Sequence, residues 1–148
     1  MSLVAERGNR ETIELFYKAL NSRDYDAYAQ CLGAGYAQEL PQSGERIKGS
    51  KNALAVAENY PGGLPELETR RITGSEDRWV TTPSWTILKI TGSGDDYTVE
   101  SLARYPDGKT WHVIDIFGFR DEKIVHHTSY YAEPFDAPAW RSQWVERI

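Results

Sequence analysis

The 148-residue chain has little of the chemistry that holds small secreted domains or metal sites together, with one cysteine and three histidines. A lone cysteine, Cys31, cannot form a disulfide within the chain, and no spacing of cysteine and histidine resembles a zinc site. We therefore expect no disulfide and no bound metal. Cys31 falls in a helical pattern, which predicts a thiol in the core.

The chain also lacks clustered positive charge and long apolar runs. Its formal net charge is −5 and lysine and arginine form no run, so nucleic acid and anionic membrane surfaces are not expected partners. No apolar segment approaches the roughly 20 residues that span a bilayer, and no amino-terminal segment resembles a signal peptide. These absences predict a cytoplasmic protein.

Aromatic residues, by contrast, are abundant, with five Trp, nine Tyr and four Phe. A chain of this length suits one domain, which buries roughly two thirds of the surface of its unfolded form. Aromatic side chains in a small domain often line a pocket. The composition therefore favours a small hydrophobic molecule as the ligand.

Three amphipathic helices are predicted in the first 60 residues, where apolar side chains recur at helical spacing. The first begins at an Asn9 cap and ends near residue 21. The second begins at an Asp24 cap and its pattern includes Leu32. The third begins at a Ser50 cap and ends near Tyr60.

After residue 60 the apolar residues alternate instead, which is typical of strands, and glycine and aspartate turns separate the segments. A short helix is expected at residues 137–145. Helices followed by strands predict one α+β domain over residues 9–148, with a mostly antiparallel curved sheet wrapped around about three amino-terminal helices. The predicted strands cover residues 36–40, 67–73, 78–91, 97–105, 111–120 and 124–131.

The most informative segment, residues 111–131, predicts two strands joined by a tight charged turn. Side chains alternate along a strand, so Asp115 shares its face with four hydrophobic residues: Trp111, Val113, Phe117 and Phe119. A carboxylate among such neighbours must be paired, protonated or used in chemistry, because burying an isolated charge is costly. Asp115 is therefore the first candidate for a functional residue.

Three groups of short strings carry a family resemblance when they are taken in this order: Tyr17-Lys18-Ala19-Leu20-Asn21 before Asp24-Tyr25-Asp26, Glu39-Leu40-Pro41 followed by Gly49, and Val113-Ile114-Asp115 leading into Lys123-Ile124-Val125. From about residue 9 to residue 131 the chain resembles the nuclear transport factor two-like superfamily, in particular the SnoaL-like polyketide cyclases and the ketosteroid isomerases. The resemblance implies a cone-shaped sheet closed by helices around an apolar pocket. It also implies a homodimer.

The catalytic roles of the ketosteroid isomerases transfer only in part. Leu40 occupies the position of their carboxylate base, so the base is missing. Phe16 occupies the position of the tyrosine that donates to the oxyanion, with Tyr17 one position away, so this donor is expected to be missing too. Asp115 matches their protonated acid, a known case of a neutral aspartate. Steroid isomerisation by that mechanism is therefore not expected.

The SnoaL-like cyclases resemble the chain in placing acid/base groups on the late strands. By this analogy the odd-numbered residues of the last strand, His127 among them, face the pocket, although a slip of one residue would bring in His126 and Tyr130 instead. If His127 approaches Asp115, the two act as base and orienting carboxylate to remove a proton alpha to a carbonyl. The alternative is a purely structural hydrogen bond.

Several further side chains are candidates for contact with a ligand. An aromatic cage for a planar or polycyclic molecule is one interpretation of the late aromatic residues, and packing in the core is the other. Glu39 is either a second carboxylate of the site or a solvated or salt-bridged residue at the surface, and we expect the surface role. The candidate contacts are Phe16, Tyr17, Leu40, Trp85, Trp111, Phe117, Ser129 and Tyr131.

Two classes of function follow from these residues. The first is cyclisation or isomerisation of a hydrophobic carbonyl compound by acid/base chemistry without a metal or redox cofactor. The second is a protein without chemistry, either a binder of a small hydrophobic ligand or a dimeric accessory domain, and fold analogy alone does not choose between the two classes. The segment after Tyr131 is expected to form a lid, a dimer contact or a brace on the sheet.

Overall fold

The computed structural model has the predicted α+β fold, with amino-terminal helices packed against a curved six-stranded sheet. It describes the backbone of residues 2–73, 81–82, 85–86 and 95–148, and the side chains of residues 8–73 and 95–148. Most of the strand predicted over residues 78–91 lies outside the described residues. No helix among the described residues is long and apolar enough to cross a membrane.

The first helix, α1, covers Ser2–Ser22, so the prediction that it begins at an Asn9 cap was wrong. Asn9 lies inside the helix and is 1% exposed, with its side-chain nitrogen 3.5 Å from a carboxylate oxygen of Asp95. Residues before it, such as Leu3, Ala5 and Glu6, are good helix formers. The helix therefore continues in the amino-terminal direction past Asn9.

The second helix, α2, covers Tyr25–Gln30, and its predicted cap is confirmed because the carboxylate of Asp24 accepts the backbone N–H of Ala27 at 3.1 Å. Leu32 was predicted to continue this helix, but it pairs with Ile124 across the sheet and begins the first strand instead. The buried Cys31 lies at the end of α2.

The third helix, α3, covers Gly49–Glu58, so Ser50 lies inside it and is not its cap. Gly49 has a φ of 82°, a conformation that glycine adopts without steric cost. This residue turns the chain directly from the preceding strand into the helix. The helix consequently begins two residues earlier than predicted, because its N-cap is Lys48 instead of Ser50.

The described strands are β1 (Leu32–Leu40), β2 (Glu45–Lys48), β3 (Glu66–Thr73), β4 (Thr81–Thr82), β5 (Trp85–Thr86), β6 (Asp96–Arg104), β7 (Thr110–Arg120) and β8 (Lys123–Ala132). The main sheet has the order β2-β1-β8-β7-β6-β3, and its neighbouring strands are antiparallel except for the parallel pair β1 and β8. Two short strands, β4 and β5, pair in a separate ribbon. The mostly antiparallel sheet is thus confirmed.

The hairpin of β7 and β8 is closed by the predicted charged turn. Asp121 and Glu122 have φ angles of 52° and 62°, the pattern of a two-residue turn whose twist matches that of the strands. Gly118 pairs with His126 and Phe119 with Ile124, so the register shifts next to this turn and Val125 of β8 is the extra residue. This register places Asp115 directly opposite Ser129.

The carboxyl-terminal segment ends in a 3-10 helix, Ala139–Trp144, within the region predicted as helical. Its two tryptophans, Trp140 and Trp144, are 74% and 71% exposed, so they pack little against the rest of the chain. Glu39 is at the surface, where its carboxylate lies 2.7 Å from the guanidinium of Arg46. The predicted surface role of Glu39 is therefore confirmed.

Candidate functional site

Asp115 is buried on the concave face of the sheet, where it is 5% exposed and accepts three hydrogen bonds. Its Oδ1 accepts from Nε2 of His127 at 2.8 Å and from the hydroxyl of Ser129 at 2.5 Å. Its Oδ2 accepts from the hydroxyl of Tyr17 at 2.5 Å. A buried carboxylate must be paired, protonated or used in chemistry, and the structure shows Asp115 paired with three hydrogen-bond donors.

The sheet topology brings these groups together. Ser129 is the direct cross-strand partner of Asp115, and His127 lies two residues away on the same face of β8. The parallel pairing of β1 with β8 sets Gln38 opposite His127. The side chain of Tyr17 extends from α1 to Asp115, so the site is formed by one helix and three adjacent strands, β1, β8 and β7.

The ring of His127 is fixed by aromatic contacts and by hydrogen bonds at both of its nitrogens. It is 4% exposed, its ring stacks on Phe117 with centroids 4.4 Å apart, and the edge of Phe16 lies 5.6 Å away. Its Nδ1 lies 2.9 Å from the hydroxyl of Tyr36, and its Nε2 meets Asp115 and the hydroxyl of Ser129. Both ring nitrogens therefore already have partners within the protein.

The environment of Asp115 favours the ionised carboxylate. Burial raises its pKa, but the charge of His127 and hydrogen bonds from His127, Ser129 and Tyr17 outweigh burial and hold the pKa below its usual value. This carboxylate differs from the protonated acid that the ketosteroid isomerase resemblance implied. The physical reason is the imidazole beside it, which stabilises its negative charge.

A tyrosine hydroxyl from α1 enters the site at Tyr17, one residue away from the position that the resemblance assigned to the donor, and it donates to Asp115. Phe16 and Tyr17 are both almost fully buried, because the apolar stripe of a helix packed on a sheet is wide enough to include two consecutive residues. Burial, reinforced by the charge of Asp115, raises the pKa of Tyr17 well above its usual value. Tyr17 is therefore a neutral O–H donor at physiological pH.

A cavity of about 100 Å³ adjoins this cluster, and we call it the inner cavity. Its polar end is formed by Asp115, His127, Tyr17 and Gln38, and the amide of Gln38 donates to the hydroxyl of Ser129 at 2.9 Å. The remainder of its wall is mainly apolar or aromatic. Part of that wall is formed by Phe16, Leu20, Tyr28, Ala53, Val113 and Tyr131.

A second cavity of about 350 Å³ lies beside the first, and we call it the outer cavity. Four of the candidate ligand contacts line it: Leu40, Trp111, Ser129 and Tyr131. Tyr60, Tyr105 and Tyr131 belong to the walls of both cavities. The two spaces are therefore separated by tyrosine side chains.

The candidate residues fall into distinct places. Phe16, Tyr17 and Tyr131 line the inner cavity, whereas Phe117 is fully buried beneath His127 and lines neither cavity. The side chain of Trp85 lies outside the described residues. His126 and Tyr130 point outward and are exposed, whereas His127 and Ser129 are buried. From Val125 onward, therefore, the odd-numbered residues of β8 face the interior.

Four residues of the site were not singled out in the sequence: Tyr36, Gln38, Tyr60 and Tyr105. A signal existed for the first two, because Tyr36 and Gln38 alternate with Leu40 and so share its face of the strand. The parallel pairing that places them beside His127 has no local sequence signal. Tyr60 lies shortly after α3 and Tyr105 directly after β6, and each precedes a proline.

Solved structures with the same fold are numerous. An NTF-2 like protein of unknown function from Burkholderia xenovorans LB400 is 33% identical, with 97% of each chain covered and a TM-score of 0.76. A putative ketosteroid isomerase from Kribbella flavida DSM 17836 is 22% identical, with 96% of this chain and 90% of that chain covered and a TM-score of 0.72. An LEH-like epoxide hydrolase of M. tuberculosis is 19% identical, with 84% and 79% covered and a TM-score of 0.63.

No curated protein sequence gives a significant match to the chain. The model of one protein family, described as a SnoaL-like domain, matches residues 13–127. This range begins within α1 and ends on β8 at His127, so it includes Tyr17, Asp115 and the strands that build the inner cavity. The chain therefore belongs to the SnoaL-like domain family, on an NTF2-like fold.

Proposed function

We propose that this protein catalyses isomerisation or cyclisation of a small hydrophobic carbonyl compound by acid/base chemistry that needs no metal or redox cofactor. The observation that carries the proposal is the 2.5 Å contact between the hydroxyl of Tyr17 and Oδ2 of Asp115 beside the inner cavity. A neutral donor and an ionised acceptor lie side by side in a mainly apolar space. Such a pair suits a carbonyl group and the C–H bond next to it.

The proton transfer follows from this pair. A carbonyl oxygen that enters the inner cavity accepts the O–H of Tyr17, which frees a lone pair on Oδ2 of Asp115. That lone pair takes a proton from the carbon alpha to the carbonyl, and the C–H electron pair becomes the double bond of an enolate. The hydrogen bond from Tyr17 stabilises the negative charge on the enolate oxygen.

Two outcomes complete the reaction without any other reactant. In an isomerisation, Asp115 returns the proton to a different carbon of the same conjugated system. In an aldol-type cyclisation, the enolate carbon attacks a second carbonyl of the same molecule, and the resulting alkoxide takes the proton from Asp115. Either way Asp115 ends as the carboxylate with which it began.

The contacts of His127 support a role in positioning, whereas the sequence predicted that His127 is the base and Asp115 its orienting carboxylate. Both imidazole nitrogens are engaged, by Asp115 on one side and by Tyr36 on the other. The imidazole and Ser129 hold Oδ1 of the carboxylate, which leaves Oδ2 for Tyr17 and the substrate. The geometry favours the reverse assignment, in which Asp115 contacts the substrate.

One observation favours the rival class, a binding protein without chemistry. The three donors around Asp115 lower its pKa, and a carboxylate with a low pKa is a weak base for carbon acids. A protein of this class would bind the same carbonyl compounds through Tyr17 and leave their C–H bonds intact. Both classes therefore predict that the protein binds carbonyl compounds, but only the enzyme class predicts that it removes a proton from them.

Exchange of alpha protons with solvent deuterium tests the proposal directly. A panel of small hydrophobic ketones and β-diketones is incubated with the protein in D₂O, and the loss of each alpha-proton signal is followed by NMR. Asp115→Asn keeps the size of the side chain, and Asp121→Asn is the matched control, since Asp121 lies exposed in the β7–β8 turn.

We expect the wild type and Asp121→Asn to accelerate exchange equally for at least one compound. Asp115→Asn should reduce the accelerated rate by about 100-fold or more, as expected when a general base is removed. Equal rates in the Asp115→Asn variant, or binding with no exchange in the wild type, would contradict catalysis by Asp115.

A further inference from the structure

Tyr60 and Tyr105 stand between the inner and outer cavities, because both side chains belong to the walls of each. Their hydroxyl oxygens are 3.1 Å apart, and their rings are stacked with centroids 6.3 Å apart and planes 30° from parallel. One hydroxyl–hydroxyl hydrogen bond thus joins the region after α3 to the end of β6. We call these two side chains the tyrosine partition.

The two tyrosines are carried by similar turns. Tyr60 begins Tyr-Pro-Gly-Gly and Tyr105 begins Tyr-Pro-Asp-Gly, and in each turn the N–H of the fourth residue donates to the tyrosine carbonyl at 3.0 Å. Proline in the second position fixes its own φ and restricts the residue before it. Because both backbones are held in this way, we expect any opening of the partition to come from rotation of the side chains.

The sizes of the cavities indicate that a ligand too large for the inner cavity must extend across the partition. Sites for small molecules commonly measure about 300 to 1,000 Å³, whereas the inner cavity beside Asp115 measures about 100 Å³. It holds the reactive end of a molecule and little else. The outer cavity of about 350 Å³ offers the larger space, and Trp111 lies on its wall with its ring 5.6 Å from that of Tyr105.

We propose that the tyrosine partition determines specificity by selecting elongated two-part substrates. Their compact carbonyl end lies in the inner cavity, and their flat apolar part crosses between Tyr60 and Tyr105 to lie against Trp111. The inner half of this inference rests on the proposed function, since it needs a carbonyl at Tyr17. The outer half rests on the partition alone.

The hydrogen bond of the tyrosine partition should weaken the binding of long ligands and leave the binding of compact ligands unchanged. An elongated ligand breaks the hydrogen bond between Tyr60 and Tyr105, whereas a compact ligand leaves it intact. A variant that lacks one of the two hydroxyls has no such hydrogen bond, so a long ligand does not have to break it. Because a net hydrogen bond between uncharged groups corresponds to about a fivefold change in an equilibrium constant, a phenylalanine variant should bind long ligands about fivefold more tightly.

Two phenols serve as probes, because a phenol hydroxyl resembles an enol, able to accept from Tyr17 and donate to Asp115. Phenol is the compact probe, and 4-phenylphenol is the elongated probe, whose far end has no polar atom to replace the lost hydroxyl. Their affinities are measured by calorimetry on the wild type, Tyr60→Phe, Tyr105→Phe, the double variant and Tyr130→Phe. The last is the matched control, since Tyr130 is exposed on the opposite face of the sheet.

We expect Tyr60→Phe and Tyr105→Phe each to raise the affinity ratio of 4-phenylphenol to phenol about fivefold, with no further gain in the double variant because both remove the same bond. Tyr130→Phe should leave the ratio unchanged. An unchanged ratio in the partition variants, an equal change for both phenols, or no binding of 4-phenylphenol to any variant would overturn the inference.

The same measurements test the proposed function separately from the tyrosine partition. If Tyr17→Phe leaves phenol affinity unchanged while the partition variants still shift the ratio, the partition stands and the enolate site at Tyr17 does not. If Tyr17→Phe weakens phenol binding while the ratio never shifts, the reverse holds.

Discussion

The hydroxyl of Tyr36 lies 2.9 Å from Nδ1 of His127, on the side of the imidazole opposite Asp115. Tyr36 and His127 belong to β1 and β8, the parallel pair in the main sheet. A buried chain of side chains thus runs from Tyr36 through His127 and Asp115 to Tyr17. Each of these side chains limits the orientation of the next through a hydrogen bond, so we expect the stability and the chemistry of the site to depend on these hydrogen bonds.

Replacing His127 should destabilise the fold because it removes a donor from a buried charge. His127→Phe keeps a flat ring against Phe117 but leaves Asp115 with two donors instead of three. Removing one partner of a buried charge costs about 3 to 5 kcal/mol, and we expect the lower end of that range because Ser129 and Tyr17 remain. His126→Phe, its exposed neighbour, should change the free energy of unfolding in urea by less than about 0.5 kcal/mol. Equal effects of the two substitutions would contradict the pairing.

Replacing Tyr17 should impair chemistry. Tyr17→Phe keeps the ring between Phe16 and Phe117 but removes the O–H that stabilises the enolate oxygen. Losing one such donor costs about 100-fold or more in rate, so alpha-proton exchange should fall by about that factor. Tyr130→Phe should exchange at the wild-type rate. If Tyr17→Phe also exchanges at that rate, the carbonyl oxygen is bound elsewhere.

Acid should destabilise the protein partly through Asp115. Although burial raises its pKa, His127 and three hydrogen bonds lower it overall, so the folded protein holds this proton less tightly than the unfolded chain does. The stabilisation is present above the unfolded pKa of about 4 and is lost as the pH falls through the lower folded pKa. Urea denaturation between pH 6 and pH 2 should show a smaller acid loss in Asp115→Asn than in Asp121→Asn. Equal acid losses would mean that the pKa of Asp115 is not lowered.

Alkali should destabilise the protein through its buried tyrosines. Burial raises the pKa of Tyr28 to about 12 and raises those of Tyr17, Tyr36, Tyr105 and Tyr131 as well. The unfolded chain releases these protons near pH 10, so stability is complete below pH 10 and falls as the pH rises further. Absorbance at 295 nm should show one group of tyrosines ionising near pH 10 and a second group ionising together with loss of the near-ultraviolet circular dichroism signal. Ionisation of all nine tyrosines near pH 10 in the folded protein would contradict their burial.

Local patterns in the sequence predicted most of the fold. The Asp24 cap, the alternation around Asp115 and the two-residue turn at Asp121 are short-range features with a direct physical reading. The wrong predictions concern helix ends. Asn9 has the chemistry of a cap, yet burial against the sheet and good helix formers before it extend α1 past this residue.

The site was predictable to the extent that it depends on alternation. Asp115, His127 and Ser129 share one face of a hairpin. Alternation alone left His126 and Tyr130 as the other choice, the family resemblance favoured His127, and the register shift between Gly118 and Phe119 sets the face that the structure has. The hydroxyl of Tyr17 and the contacts of Tyr36 and Gln38 depend on how α1 crosses the sheet and how β1 pairs with β8. Such long-range packing is set by the whole core, so a residue-by-residue transfer from the family put Phe16 at the position where the structure has the hydroxyl of Tyr17 beside Asp115.

The central claim is that Asp115 is an ionised carboxylate that faces the inner cavity, and the carboxyl carbon of this residue reports on it directly. The protein is labelled with ¹³C at aspartate side chains, the Asp115 signal is assigned by its absence in Asp115→Asn, and its chemical shift is followed with pH, with and without phenol. We predict that Asp115 stays ionised at neutral pH, titrates below the usual range for aspartate, and shifts when phenol binds. A carboxyl group that stays protonated at neutral pH, or one that does not respond to bound phenol, would contradict the claim.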